Sequence, residues 1–276
     1  MIQYTDLIRR VLTEGARVPD RTGTGTLAVF GHQMRFDLTE GFPLVTVKKT
    51  NWRAAFVEML WFLRGDTNIA WLHEHGVHIW DQWADKHGDL GPIYGEQWRG
   101  SERVDTDQFF ALLKGLHADP HSRRHIVNAW SPEHLPEPGI KPSEQPALGL
   151  MALAPCHCLV QFFVSPTGRL SCQLYQRSAD VFLGVPFNIA GYALLTHLLA
   201  RHLGYRPGEL IWTGGDVHLY ANHLDQAAEV LRRDPLPLPT LIQHHEPGRP
   251  LWEIEPHELE VVGYASHPAI PAPVAV

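Results

Sequence analysis

The sequence predicts one large domain that mixes helices and strands, of the α/β or α+β class. A chain of 276 residues with 44% hydrophobic side chains can bury a substantial core. Apolar residues recur at helical spacing in some segments and alternate with polar residues in others, so both element types are expected. The chain carries no internal repeat, and we expect a single domain over residues 1–276.

The N-terminal quarter predicts a helix followed by strands. Apolar residues within 2–14 recur at roughly helical intervals, and Gly15 is expected to end this helix in a left-handed conformation. Residues 21–26 form a loop rich in Gly and Thr. Alternation through residues 27–38 then predicts paired strands that are broken at Gly31.

The middle of the chain predicts three helices and the start of a strand. Residues 52–63 are strongly apolar and helix-compatible, and Gly65 follows as an end signal. A second helix is expected over residues 67–74 and an amphipathic helix over residues 106–117. A strand is then expected to begin within residues 123–127.

The next segment predicts a loop, a hairpin and a long helix. Residues 131–149 contain five prolines, which is too many for a helix or an inner strand, so an exposed insertion loop is expected. Two β-like runs at residues 158–164 and 170–175 flank a turn and predict a hairpin. A long helix fits residues 189–203.

The C-terminal part predicts a short strand over residues 210–213, a turn at Gly214 and Gly215, and a helix over residues 219–231. The Pro-rich end from residue 268 onward is expected to be a tail.

Composition excludes several broad classes of protein. A formal net charge of -7 argues against a large basic surface for nucleic acid, so any anion site must be local. The N-terminus lacks a signal segment and the three cysteines are odd in number, which favours a reducing cytoplasm. Polar residues interrupt the longest apolar region, residues 148–164, so no membrane span is expected.

Cys156 is the first candidate for chemistry. It lies at the start of an apolar strand with His157 beside it and arginines nearby in sequence. A thiol among fixed positive charges tends to ionise, and the thiolate is the form that attacks carbon. Taken alone, Cys156 fits a small buried hydrophobe equally well. Cys158 and Cys172 lack this setting and are expected in the core.

Four arginines are candidates for an anion site. Arg21, Arg123, Arg124 and Arg177 all lie in predicted loops or at strand ends. If these guanidinium groups converge, they can clamp a phosphate dianion, with the Ser178 hydroxyl as a further donor. Surface salt bridges are the alternative for any single one of them.

The eighteen histidines suggest a metal site, but their spacing does not support one. His73, His75 and His78 do not fall on one helical face, and cysteine or carboxylate partners at fixed spacing are missing. Cys156 and Cys158 flank His157 on a strand, where alternate residues point to opposite faces. We therefore predict no metal.

Two further features fit a catalytic pocket. Glu58 lies inside an apolar helix, where a carboxylate without a partner or a proton is costly, so it is a candidate for a proton network. Trp80 and Trp83 can form a flat wall for a planar ring, although core packing is the commoner role of tryptophan.

Longer motifs follow one another along the whole chain. They are DRTGTGT (20–26), WFLRGDTN (61–68), DLGPIYG (89–95), SRR (122–124), APCH (154–157), QLYQRSADVFLG (173–184), PFNIA (186–190) and TGGDVHLY (213–220). In these motifs and in their order, the sequence resembles the thymidylate synthase family.

The resemblance implies a fold, a reaction and an assembly. The fold is α+β, with a large twisted mixed β-sheet flanked by helices and with the sheets packed across a homodimer. The reaction is reductive methylation of dUMP to dTMP by 5,10-methylenetetrahydrofolate, which is carbon donor and reductant and leaves as dihydrofolate. No metal is implied.

The resemblance also implies roles for individual residues. Cys156 corresponds to the nucleophile that adds to C6 of uracil, and Asn188 to the residue that bonds N3-H and O4. Tyr94 assists proton removal from C5, and Glu58 and His157 belong to the water network.

Further residues match substrate contacts of the family. The phosphate of dUMP is bound by Arg21, Arg177 and Ser178, and by Arg123 and Arg124 of the second subunit; His218 and Tyr220 contact the ribose, and Asp180 also lies at dUMP. The folate pocket comprises Trp80, Trp83, Leu153, Asp180, Gly184 and Ala275, with Lys48 attracting the glutamate tail and residues 268–276 closing over the ligands.

Three features depart from the family pattern: a longer connection between Trp130 and Ala154, and the residues Asn51 and Ala179. The nearest alternative is a nucleotide hydroxymethylase, in which water captures the intermediate, but an aspartate at position 188 would suit its cytosine better than Asn188 does. A binding protein that regulates RNA is a second alternative, although the sequence has no arginine-rich tract, so such binding would be secondary.

Overall fold

Six strands form one mixed sheet in the computed structural model, which describes residues 1–20 and 23–274. The strand order is β1-β2-β6-β5-β4-β3, and the β5–β6 pair is parallel while the other neighbours are antiparallel. The strands are β1 Ala16–Val18, β2 Thr26–Asp37, β3 Ile126–Asn128, β4 His157–Val164, β5 Arg169–Asp180 and β6 Arg206–Tyr220. The large mixed sheet confirms the predicted α+β class.

Seven helices accompany the sheet within the described residues. No described helix is both long enough and apolar enough to cross a membrane. A separate antiparallel pair, β7 Thr240–Gln243 and β8 Leu259–Val262, follows the last helix. The helices are α1 Ile2–Glu14, α2 Trp52–Arg64, α3 Ala70–Glu74, α4 Tyr94–Arg99, α5 Gln108–Ala118, α6 Gly184–Leu203 and α7 Leu224–Val230.

Helices α2 and α6 pack against each other and form much of the core. The Asn51 side chain caps α2 by accepting a hydrogen bond from the backbone N–H of Ala54 over 3.3 Å. Gly65 ends the helix with φ 75°, a left-handed conformation that favours glycine. Helix α6 is buried along most of its length and also packs on β5 and β6.

Two expected interruptions of the sheet are wrong. Strand β2 continues through Gly31, because Phe30 pairs with Asp216 and His32 pairs with Gly214 in one unbroken register. Gly214 and Gly215 lie inside β6, where pairing on both sides holds the strand extended. Packing requires a glycine at position 214, because a Cβ there would come within 2.4 Å of the Trp212 ring.

Several predicted boundaries also differ. Gly15 is extended, with φ -65° and ψ 135°, so the end of α1 needs no left-handed residue. Helix α3 begins at Ala70, later than expected. Residues 219 and 220 belong to β6, and a 3₁₀ turn separates them from α7. Helix α4 and strands β1, β7 and β8 had no counterpart among the predictions.

The Pro-rich segment 131–149 contains three short 3₁₀ turns, and most of its residues are exposed or half-buried. Pro146 and Gln145 are the buried exceptions, and Gln145 is 1% exposed. Its amide nitrogen donates to the carbonyls of Glu137 over 2.9 Å and Ile140 over 3.1 Å, and its Oε1 accepts from the Glu137 N–H over 3.0 Å. This Gln145 clasp closes the loop upon itself.

Candidate active site

Cys156 lies immediately before β4, and its backbone is fixed on both sides. Its N–H donates to the Tyr94 hydroxyl oxygen over 2.8 Å, and its carbonyl accepts from the Arg177 N–H over 2.8 Å. Tyr94 comes from the first residue of α4, so a helix and the hairpin strand β5 meet at the thiol. Cys156 is partly buried, whereas Cys158 and Cys172 are buried as predicted.

Arg177 holds the chain segment that precedes the thiol. Its Nε donates to the carbonyl of Pro155 over 2.8 Å and its Nη2 to that of Ala154 over 2.9 Å. The guanidinium also lies over the Trp130 ring, 5.2 Å from its centroid. This cation is therefore locked beside Cys156.

The thiol is not ionised as easily as its sequence neighbourhood suggested. Burial raises the pKa of Cys156 above its usual range, and the nearby Arg177 charge offsets only part of that rise. The expectation that fixed positive charge would dominate was wrong for the single protomer, because only Arg177 among the described arginines acts on the sulfur.

His157 is a buried, neutral side chain. Its ring stacks on the Tyr94 ring with centroids 4.2 Å apart, and its Nδ1 lies 2.8 Å from the Tyr192 hydroxyl. Burial lowers the pKa of His157 to about 3. At neutral pH the ring is therefore uncharged, and it packs and forms hydrogen bonds in the neutral form.

Glu58 and Trp80 form the second polar element of the site. The Trp80 indole N–H donates to Glu58 Oε1 over 2.8 Å. Burial raises the pKa of Glu58 to about 7, although the tryptophan bond opposes that rise. Trp83 packs edge-on against Trp80 with ring centroids 5.7 Å apart. Near neutral pH this carboxyl group can therefore both give and take a proton.

The parallel β5–β6 pair brings several predicted substrate contacts together. Ser178 lies opposite Asp216, and Asp180 lies opposite His218. His218 Nδ1 lies 2.8 Å from an Asp216 carboxylate oxygen. These strand ends contribute to a polar cavity of about 300 Å³, whose lining includes Val18, Pro19, Asp20, Thr26, Arg177, Ser178, Asp216, His218 and Tyr220.

Asn188 is oriented by Gln176 and Trp212, which were not among the predicted site residues. Gln176 Nε2 donates to Asn188 Oδ1 over 3.0 Å, and the Trp212 indole N–H donates to Gln176 Oε1 over 2.8 Å. The tryptophan fixes which end of the Gln176 amide is the donor, and Gln176 thereby fixes the Asn188 amide. The sequence contains one indication of this role: Gln176 lies two residues after Leu174 and therefore on the same, core-facing side of β5.

The remaining predicted pocket residues lie around the start of α6. Asp180 Oδ1 accepts the backbone N–H groups of Phe182 over 2.9 Å and Leu183 over 3.1 Å. A Cβ at Gly184 would lie 3.7 Å from Asn188 Oδ1 and 3.8 Å from Asp180 Cβ. Gly184 therefore lies beside both Asn188 and Asp180. Leu153 is half-buried and packs on the core.

Lys48 does not offer a surface charge. Its side chain is 7% exposed, and its ammonium donates to the carbonyl of Phe182 over 2.7 Å and lies over the Phe182 ring. Burial lowers the pKa of Lys48 to about 8, with Asp180 opposing the shift. In this conformation the lysine bonds inside the protein, and its predicted role toward a glutamate tail stays a prediction.

Two predicted phosphate ligands lie apart from the cavity. Arg123 and Arg124 are exposed, and Arg124 lines a different depression beside α5. The single protomer therefore does not bring them to Arg177. Arg21 and Ala275, which were also predicted site residues, lie outside the described residues.

The C-terminal segment returns to the site region. The Nε2–H group of His223 donates a hydrogen bond to the carbonyl oxygen of Pro273 over 2.7 Å, since a carbonyl can only accept. The His223 ring is buried and lies 5.5 Å from the Phe182 ring centroid and 5.7 Å from that of Tyr220. The tail is thus attached next to the residues that line the pocket.

This geometry agrees with a comparison against protein families. The family model described as thymidylate synthase matches residues 2–276. The chain belongs to the thymidylate synthase family. Thymidylate synthases are methyltransferases that convert dUMP to dTMP, and 5,10-methylenetetrahydrofolate is their co-substrate. The expectations for enzyme class and co-substrate are thereby confirmed.

Proposed function

We propose that this protein makes dTMP through covalent addition of Cys156 to C6 of dUMP. The new S–C6 bond makes C5 nucleophilic, and C5 attacks the methylene carbon of the folate. Loss of the C5 proton and of the tetrahydrofolate amine leaves an exocyclic methylene. Hydride transfer from tetrahydrofolate to this carbon gives the methyl group, dihydrofolate is released, and the S–C6 bond breaks.

Tyr94 and Glu58 are proposed to handle protons in this sequence. The Tyr94 oxygen is tied to the backbone of the nucleophile, which suits assistance at C5. Glu58, with a pKa of about 7, can exchange a proton with water at the pyrimidine. His157 stays neutral and supports the water network through its hydrogen-bonding nitrogens.

Selection of uracil is proposed to depend on Asn188. Its amide can accept from N3-H and donate to O4, a pairing that cytosine does not match. The hydrogen bond from Gln176 orients this amide before substrate arrives. Orientation in advance limits the entropy lost on binding and strengthens discrimination.

The nucleotide is proposed to lie along the 300 Å³ cavity, with its phosphate toward Arg177 and Ser178 and its ribose toward His218 and Tyr220. Arg21 is proposed as a further phosphate ligand, and Asp180 as a residue that contacts both ligands. The folate is proposed to pack against Trp80, Trp83, Leu153 and Gly184, with residues 268–276, including Ala275, closing the pocket against water.

A homodimer is proposed to complete the phosphate site. The outer face of the sheet carries apolar side chains such as Phe163, which is 58% exposed, and Tyr175, which is 40% exposed. A depression of about 780 Å³ crosses the same face. Exposed apolar surface of this kind favours association. Arg123 and Arg124, which are remote from the cavity of their own chain, would then serve the partner's site.

We further infer that residues 1–276 act as one catalytic domain in the cytoplasm. The three cysteines are free, which suits a reducing compartment. Within this domain, the Gln145 side chain bonds the backbone of the 131–149 insertion to itself.

One arrangement supports the proposal most strongly: Arg177 grips the two carbonyls before Cys156 while lining the polar cavity. The test is incubation with 5-fluoro-dUMP and methylenetetrahydrofolate, followed by peptide mass spectrometry. A covalent adduct on Cys156 is expected, because fluorine at C5 cannot leave as a proton does. Cys156→Ala should abolish the adduct and Cys158→Ala should retain it. An adduct on another residue would refute the mechanism.

The dimer is tested separately by mixing. A chain carrying Arg123→Glu and Arg124→Glu is mixed with Cys156→Ala chains after partial unfolding. Each preparation alone should be inactive, and reassembled mixtures should regain turnover, because one site then has a cysteine and a partner's arginines. No recovery, together with a dimer in sedimentation, would refute donation across the interface.

A further inference from the structure

Two histidines and an aspartate outside the proposed active site converge at the end of α3. His73 lies in the last turn of that short helix, and the chain reverses so that the His78 ring lies 4.6 Å from the His73 ring. Asp81 contacts both: its Oδ1 lies 2.7 Å from His73 Nε2 and its Oδ2 lies 3.1 Å from His78 Nδ1. Helical spacing does not predict Asp81 as a partner of these histidines, because the chain reversal brings it to them.

The three ligand atoms are close enough for one ion. They all lie within 4.8 Å of one another. Ligand atoms around a tetrahedral zinc ion, with bonds of about 2.0 Å, lie about 3.3 Å apart. The most widely separated ligand atoms must therefore approach each other by about 1.5 Å at most, and rotation of exposed side chains can supply this movement. The side chains of His73, His78 and Asp81 are 40%, 63% and 42% exposed, so solvent ions reach them.

The donor set selects the type of ion. Two imidazole nitrogens and one carboxylate oxygen suit zinc and similar divalent transition-metal ions, with water as the fourth ligand. Calcium and magnesium prefer sites made only of oxygen. His75 does not take part, because its Nδ1 lies 2.9 Å from the carbonyl of Trp71 and its Nε2 faces Glu255.

We propose that His73, His78 and Asp81 form a surface site for a zinc-class divalent ion. The site is separate from the methyl-transfer reaction, and no step of that reaction passes through it. Its place in the fold is distinctive, since Asp81 directly follows Trp80, whose indole N–H bonds Glu58. An ion bound to all three ligands would join the end of α3 to the turn that carries Trp80, and would restrict the motion of that turn.

The site is tested by calorimetric titration of untagged, metal-free protein with zinc chloride. The double variant His73→Gln, His78→Gln should lose one bound ion per chain relative to wild type, and Asp81→Asn should weaken the same binding phase. His87→Gln, which changes a nearby exposed histidine, is the matched control and should keep it. Far-ultraviolet circular dichroism checks that each variant is folded.

A second measurement reports the ligands directly. Cobalt chloride added to wild type should give the visible absorption of a four- or five-coordinate ion, and the double variant should not. Full wild-type zinc stoichiometry in the double variant, as expected if Cys156 held the ion, would overturn the proposal. This outcome does not depend on the proposed catalytic mechanism, since neither readout requires turnover.

Discussion

The hydroxyl oxygen of Tyr94 accepts the backbone N–H of Cys156 over 2.8 Å. The bond links the start of α4 to the residue before β4, two parts of the chain that are far apart in sequence. Tyr94 is enclosed by aromatic rings, namely Phe62, Trp80 and the stacked His157. The position of the nucleophile is therefore set by a group that is itself proposed to act on the substrate.

Tyr94→Phe should reduce turnover by about 10²- to 10⁴-fold if the hydroxyl assists proton removal. It also leaves a buried N–H without its partner, which should lower the free energy of unfolding by about 1–3 kcal/mol. Steady-state kinetics and urea unfolding measure the two effects. Tyr192→Phe, which removes a hydroxyl bonded to His157 instead, is the control and should affect turnover less. Undiminished turnover in Tyr94→Phe would contradict the role.

Glu58→Gln should change the pH dependence of stability. The folded-state pKa of about 7 exceeds the usual 4.5, so protonation stabilises the fold below pH 4.5 and this contribution is lost as pH rises to about 7. A shift of that size corresponds to about 3 kcal/mol. Glutamine keeps an acceptor for Trp80 and has no charge to bury.

The glutamine variant should therefore gain stability relative to wild type as pH rises from 5 to 8, by up to about 3 kcal/mol. Urea unfolding at several pH values measures this difference. Its turnover should fall, because the proton exchange is lost. A difference in stability that stays constant across this pH range would show that Glu58 is not held in an unfavourable ionised state.

Arg177 variants should separate charge from geometry at the thiol. Arg177→Gln removes the cation that lowers the pKa of Cys156, so alkylation of the thiol should require higher pH. Arg177→Lys keeps a charge but cannot bond both Ala154 and Pro155, so it should preserve more thiol reactivity while still weakening dUMP binding. Rates of iodoacetamide reaction against pH, with adduct mapping, decide this. Identical profiles for wild type and Arg177→Gln would rule out the charge effect.

Asn188→Asp should weaken the preference for dUMP over dCMP. A carboxylate still accepts the hydrogen bond from Gln176, but it repels O4 of uracil and accepts from the cytosine amino group. The ratio of kcat/KM for the two nucleotides is the measurement. Gln176→Leu is a useful companion, because it frees the Asn188 amide without changing its chemistry. An unchanged ratio in Asn188→Asp would exclude base selection by this residue.

His223→Leu should raise the KM for the folate. Leucine fills the buried position but cannot donate to the carbonyl of Pro273, so the tail loses an anchor. His223→Gln retains a donor and should recover part of the effect. His223 packs against Tyr220 but is not itself proposed to contact dUMP, so the KM for dUMP should change less. Equal folate KM values in wild type and His223→Leu would mean that this bond does not hold the closed tail.

Local patterns predicted much of the fold, because their signals are short-ranged. The apolar helix before Gly65 and the hairpin after Cys156 were both confirmed, as was the buried state of Cys158. Strand β6 was harder, since paired strands on either side of Gly214 override the turn preference of a double glycine. Propensity contains no information about those neighbours.

The candidate site shows the same difference between short-range signals and contacts made by distant segments. Motifs identified Cys156 and Asn188, but the Gln176 bond that orients Asn188 depends on tertiary packing. Lys48 turned inward because the Phe182 carbonyl can receive its ammonium, and His157 is neutral because it is enclosed. These environments arise from contacts between distant segments, which sequence spacing alone does not reveal.

The Gln145 clasp has a consequence for how this chain can vary in length. After the clasp, the backbone of Leu150 packs closely against Gly91. A Cβ at Gly91 would lie only 2.0 Å from the Leu150 carbonyl oxygen. Between Trp130 and Leu150, the Gln145 side chain bonds the backbone of Glu137 and Ile140 within the loop, and the tip at Gly139 has no neighbour within 4 Å of a Cβ built there. Because loop-closure entropy grows slowly with length, inserted residues near Gly139 cost little free energy. The same stretch is therefore a natural attachment point for a fluorophore or an affinity label.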